Sequence, residues 1–282
     1  MKHDSREHIL ITQGIPLGLT VVIFAFFTLL LYFQIIILNR FTSVDIKMGV
    51  RFSDILVGMT IYLKTSVDFA IFIGNLMAQF PGWKNRVAIE IGTAAGNALG
   101  TMIILTIWNF FRDVEWLLAI MIFIAGLVLL RLAEDGLEHA RAGDKKLPFW
   151  FTRIVEVLEK ALYRVNRFTR FFLRFIIPNL SMKAENKNLT LMGLFTFSFT
   201  IPFILGLDDF AGYVPLFNVV NVFGFAIGVF AGHMLLNLFL FLSPTKTINM
   251  VKNPIISLLG SIAFVALAIW GFWEVYKILL VH

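Results

Sequence analysis

The chain has 282 residues, 59% of them hydrophobic and 15% charged, with a mean hydropathy of +0.84. A typical soluble domain carries roughly 25% charged residues, so a soluble enzyme, a disordered regulator and a collagen-like fibre are excluded. With no cysteine, disulfides, thiolate zinc sites, iron–sulfur ligation and cysteine nucleophiles are excluded as well.

A membrane-crossing helix needs about 20 predominantly apolar residues. The first such stretch, 15–38, carries no charge. It is too long for a signal-peptide core and no small-residue cleavage site follows, so a retained helix is expected. Six more are expected at 54–78, 87–111, 115–133, 190–213, 219–242 and 255–279. The expected fold class is therefore an all-α integral membrane protein with seven transmembrane helices. With the N-terminus in the cytoplasm, eighteen Lys and Arg fall in inside segments and five outside. That bias predicts a multi-pass protein of the cell (inner) membrane, N-terminus in and C-terminus out.

Between the fourth and fifth spans, 147–177 reads as an amphipathic helix. Arg153, Lys160, Arg164, Arg167 and Arg174 share one face, and Phe168, Phe171, Phe172 and Phe175 fill the remainder, with Pro178 ending the helix. Such a helix suits a membrane interface with anionic lipid. Nucleic acid is not expected, because the apolar face would then lack a partner.

Two strings recur. Asp68-Phe69-Ala70 returns as Asp209-Phe210-Ala211, an offset of 141. The run from Ile91 to Asn97 returns from Ile227 to His233, an offset of 136, with Gly92 and Gly96 matched by Gly228 and Gly232. The chain thus divides into 1–52 (tail and first helix), 53–133 (first three-helix repeat), 134–187 (basic linker) and 188–282 (second repeat). An odd number of helices per repeat inverts the second, as in many transporters, whose substrate sites lie at the repeat interface. The glycine pairs allow close helix approach, and a symmetric contact between the third and sixth spans is the economical expectation.

Charge at membrane depth costs about 2.5–3.5 kcal/mol even on the lenient insertion scale, which singles out Asp68 near the middle of its span. Lys64, four residues earlier on the same face, either neutralises it as an intrahelical ion pair or lines a polar cavity with it. Asp208 and Asp209 either cap the outer end of the fifth span or bring one carboxylate into a site. Pro202 and Gly206 are expected to interrupt the helix before them. Asn97 and His233 stand at matching places after the second glycine of each pair. They read as packing residues or as helpers to a shared site. Two carboxylates, a carboxamide and an imidazole suit a divalent cation such as Mn²⁺. Glu90, one turn after Arg86 near a cytoplasmic end, reads as half of a surface pair, and Asp54 as a first-turn acid. No P-loop, GxSxG or HExxH is present, so no enzyme activity and no cofactor are expected.

Thr65-Ser66-Val67-Asp68, the hydrophilic turn leading to Arg86, Gly126 through Arg131, and Ser198-Phe199-Thr200 ahead of Asp208-Asp209 resemble the TerC family of the LysE-like transporter superfamily. Phe69, Tyr62 and Ile201 stand where that family has Asn, an acid and Asp. The resemblance implies a membrane transporter associated with manganese efflux, with Asp68 and Asp209, or Asp208 in its place, on the ion pathway. Two other roles fit the sequence. One is a non-transporting scaffold that binds a membrane partner, a second copy or anionic lipid through 147–177. The other is a small-solute exporter in which Lys64 meets a substrate carboxylate.

Overall fold

The computed structural model describes residues 14–80, 82–141, 148–176, 190–218, 220–251 and 253–280. Within them, the side chains of Pro16, Asp68, His139, 168–176, 205–212, Asn218 and Val251 lie outside the description. The described chain is helical, with no strand among the described residues. The helices are α1 (Ile15–Leu38), α2 (Phe52–Thr65), α3 (Val67–Gln79), α4 (Trp83–Phe111), α5 (Glu115–Arg141), α6 (Phe149–Ile176), α7 (Leu191–Gly212), α8 (Val222–Leu242), α9 (Pro244–Val251) and α10 (Pro254–Leu280), with a 3₁₀ turn at Val214–Asn218.

Five of these helices are long and apolar enough to cross a membrane, and α2 with α3 makes a sixth if the bent pair is one span. The expected second span is thus broken: α2 ends at Thr65, and the halves meet at 67°. Ser66 is the joint. Its backbone leaves the helical region (φ −84°, ψ 26°), although its N–H still reaches the Tyr62 carbonyl at 3.0 Å. The expected fifth span is α7, whose described apolar stretch, Leu191–Ile204, is shorter than a bilayer requires. Contrary to expectation, α7 runs through Pro202 without interruption. Proline removes a single N–H and frees the carbonyl four residues back, here that of Ser198, while the turns on either side keep their own bonds.

Glycines decide which helices meet. A methyl group added at Gly92 would sit 2.6 Å from the Phe195 carbonyl oxygen, and one at Gly96 would overlap that of Phe199. Both glycines therefore face α7, running parallel to it. Gly228 lies in the same way against the carbonyl of Ile55, and Gly232 against Met59 and Tyr62, so α8 runs parallel to α2. The third and sixth spans do meet, through the Asn237–Thr93 bond, but not through their glycines: each pair seats the first helix of the other half of the chain. Small residues permit close approach without selecting the partner. The last helices of the halves, α5 and α10, pack antiparallel, with Gly126 on Phe272 and Gly136 on Ser261.

The first helix is not a bystander. Gln34 of α1 donates to the Met102 carbonyl and to Thr106 of α4, both at 2.7 Å, while its aromatic rings lie on α8 as Phe27 against Phe230 and Tyr32 against Phe223. The amphipathic helix forms as α6, but Phe151, Val155 and Leu162 are buried in a cluster with α5 and α10. Asn166 extends that stripe, donating to Glu134 at 2.6 Å and to the Leu130 carbonyl at 3.1 Å. Part of the apolar surface expected to meet lipid therefore meets protein. The side chains of Phe168, Phe171, Phe172, Phe175 and Arg174, and Pro178 itself, lie outside the described residues.

Candidate functional site: a buried polar track along α4

Glu90, Thr93, Asn97, Thr101 and Trp108 recur at helical spacing and fall within an arc of about 80° on α4. All five are buried. From Glu90 to Thr101 the polar run is about 17 Å long at 1.5 Å per residue, and Trp108 lies on the same face two turns further on, past the apolar Ile104. Facing it on α8 are His233 and Asn237, both buried. Thr101 and Asn237 stand at the same offset of 136 that relates Asn97 to His233, so the matched polar pairs continue for another turn.

A hydrogen-bond chain links three helices across this space. The Tyr62 hydroxyl of α2 lies 2.6 Å from His233 Nδ1, and Asn237 Nδ2 lies 3.0 Å from His233 Nε2. Asn237 also donates to Thr93 at 2.9 Å, and Thr93 donates to the Glu90 carbonyl at 2.9 Å. With Asn237 donating to Nε2, the ring proton sits on Nδ1 and points at Tyr62. Both ring nitrogens are thereby engaged. In this arrangement His233 serves as a hydrogen-bond junction between α2 and α8. Among the described residues no three His, Cys, Asp or Glu side chains converge on a common point.

Glu90 is likewise not a surface residue. It is 0% exposed, and its Oε1 accepts from Thr20 of α1 at 2.8 Å. Arg86, the expected partner, donates instead to the Phe241 carbonyl at 3.0 Å and stacks on that ring. A spacing of four residues brings two side chains near each other, but an unpaired helix-end carbonyl competes for the guanidinium. Glu90 Oε2, Thr101 Oγ1, Asn237 Oδ1 and Trp108 Nε1 are buried with no hydrogen-bond partner among the described residues. Each such atom costs about 1–3 kcal/mol unless a mobile species meets it, so the stripe is built at the expense of stability.

A second polar space opens beside the helix break. Lys64, Thr65, Asp135 and Ser257, with Leu132 and Phe264, line a cavity of about 30 Å³, enough for a water molecule. Lys64 extends over Gly260, which any side chain would obstruct, and Ser257 Oγ is buried without a partner among the described residues. Asp54 holds its first-turn position, buried and 3.7 Å from Arg51.

Asp68 lies in the first turn of α3, and Asp208 and Asp209 near the end of α7; their carboxylates lie outside the described side chains. Their neighbours do meet. Tyr213, just past α7, donates to Thr65, which donates in turn to the Tyr62 carbonyl at 3.0 Å. Sequence reasoning singled out Asn97 and His233, read Glu90 as half of a surface pair, gave Tyr62 no role in the site and did not name Thr93, Thr101 and Asn237. A count of polar residues at i, i+3, i+7 and i+11 from Glu90 would have found the α4 members. Comparison with protein-family models, with curated proteins and with solved structures gives no match, so the chain is read from its own geometry.

Proposed function

We propose that the chain is a secondary transporter that exports a divalent metal ion such as Mn²⁺ by alternating access. The observation that carries this reading is the buried polar stripe of α4 facing His233 and Asn237. Buried polar atoms without partners are costly at membrane depth, and ionisable residues held there mark conduction paths. The packing supports two inverted three-helix units, because exchanging the halves turns the α2·α8 contact into α7·α4 and α5·α10 into itself. The intimate contacts therefore join different units. The bodies that rock are the pairs α2/α8 and α4/α7, with the track between them and the Thr93–Asn237 bond crossing it.

Metal binding falls to Asp68 with Asp208 or Asp209, beside the helix break at Ser66. The glycine contacts pair Ile55 with Phe195 and Met59 with Phe199, an offset of 140 that carries Asp68 onto Asp208. Flux of Mn²⁺ into proteoliposomes tests this. Loss in Asp68→Asn, and in either Asp208→Asn or Asp209→Asn, with an unchanged elution profile supports it. Undiminished flux in the triple variant overturns it.

A second reading is favoured by α6. Trp150, Ile154, Val157, Tyr163 and Val165 are exposed, as are Arg153, Lys160, Arg164 and Arg167. An apolar stripe bordered by cations suits an anionic lipid surface. In this reading α6 anchors a scaffold in the inner leaflet, and charge reversal of Arg153, Lys160 and Arg164 weakens association of the isolated 148–176 peptide with phosphatidylglycerol vesicles but not with phosphatidylcholine vesicles.

A further inference from the structure

We propose that Glu90 is the proton-binding site of the track, the group whose protonation and release drive the exchange of cation for proton; the inference rests on the transport reading above. Glu90 has no charge partner among the described residues. On its own helix, Arg86 is committed to the Phe241 carbonyl. On α1 it meets the neutral Thr20, and α1 carries no charged residue. On α8 the one titratable group is His233, whose ring nitrogens bond Tyr62 and Asn237. The described stretch of α7, Leu191–Ile204, has no charged residue. On α5, Glu134 is held by Asn166, Asp135 opens onto the Lys64 cavity, and Arg131 is engaged with groups other than Glu90. On α3 the charged residue is Asp68, whose side chain lies outside the description.

Geometry then assigns the chemistry. A carboxylate wholly removed from water, without a cation, is costly, and the same group as a carboxylic acid is not. One oxygen is satisfied by Thr20. The other, Oε2, is buried with nothing to bond among the described residues, where a bound proton sits in one state and a water molecule meets the carboxylate in the other. The balance is simple: –COO⁻ takes up one H⁺ from one side of the membrane and yields it to the other, with no bond otherwise formed or broken. A purely structural role does not need an acid at all, since glutamine accepts from Thr20 as well. Through Thr93, Asn237, His233 and Tyr62 the turn that carries Glu90 is hydrogen-bonded to the turn before Ser66. That chain gives the proton site and the helix break a shared mechanical element.

Two measurements test this. In wild-type protein carrying ¹³C-labelled glutamate, pH-difference infrared spectra are expected to show a protonated-carboxyl band that moves with the label and is absent in Glu90→Gln. In proteoliposomes, Glu90→Gln is expected to make Mn²⁺ uptake insensitive to an imposed pH gradient. No labelled protonated band in the wild type, or a band that persists in the variant, overturns the inference, as does full gradient-driven uptake by Glu90→Gln. If the wild type moves no Mn²⁺ at all, the transport reading fails, and the infrared result still decides whether Glu90 binds the proton.

Discussion

The hydroxyl of Tyr62 and Nδ1 of His233 stand 2.6 Å apart, joining α2 to α8 at a point buried from both lipid and water. Each belongs to a different half of the chain, and each completes the other: without Tyr62 the imidazole loses a partner it cannot replace from solvent. Removing the hydroxyl in Tyr62→Phe is expected to cost about 1–3 kcal/mol, the penalty of a buried unpaired polar atom. A double-mutant cycle with Asn237→Leu, read as urea or thermal midpoints in detergent, should give a coupling of about 0.5–3 kcal/mol. Additive effects would separate the two bonds.

The glycine contacts make a graded prediction. Ala at Gly96 or Gly228 drives a methyl group into a carbonyl oxygen of the neighbouring helix, and backbone cannot step aside as a side-chain tip does. Each is expected to cost at least about 1–3 kcal/mol, the usual range for overpacking. At Gly18 nothing lies within 4 Å of the new methyl group, so Gly18→Ala should be neutral or stabilise by up to about 1 kcal/mol through helix propensity. Residual monodisperse protein after graded heating orders the three.

Gly260 is the exception among close glycines, because its neighbour is the flexible stem of Lys64. Gly260→Ala is expected to displace that side chain with little loss of stability. Its Mn²⁺ flux should therefore resemble that of Lys64→Ala. A large fall in thermal midpoint with normal flux would show that Lys64 merely packs there.

Detaching α6 isolates its role. In Asn166→Ala, Glu134 and the Leu130 carbonyl each lose a bond. A loss of about 1.4 kcal/mol raises the open population tenfold. Trypsin cleavage at the exposed Arg153, Lys160 and Arg164 should accelerate to match, with the spans untouched.

Apolar run length carried the fold into view. Stretches such as 219–242 hold too few polar residues to be anything but spans, and they emerge as the long helices. Partner choice was hidden, since Gly92 and Gly228 report that something comes close and not what does. The break at Ser66 was also hidden, because no glycine or proline marks it, and the polar Lys64, Thr65, Ser66 and Asp68 read as a site rather than as a joint. The Thr65–Tyr213 bond at the joint links residues 148 apart. Glu90 misled for a simpler reason: Arg86 sits at bonding distance along the helix, and only the assembled bundle offers it the Phe241 carbonyl. The polar line on α4 was present in the spacing, diluted by threonines that pass individually as ordinary helix residues.

Finally, α1 is fastened unequally to its two neighbours. To α4 it is pinned by hydrogen bonds near both ends, from Thr20 and from Gln34; against α8 it rests on aromatic rings. Directional bonds resist sliding, whereas ring faces tolerate it. Under the transport reading, a shift of the pairs would carry α1 along with α4 and slide it over Phe223 and Phe230. It would then act as a bearing, fixed to one body and free against the other.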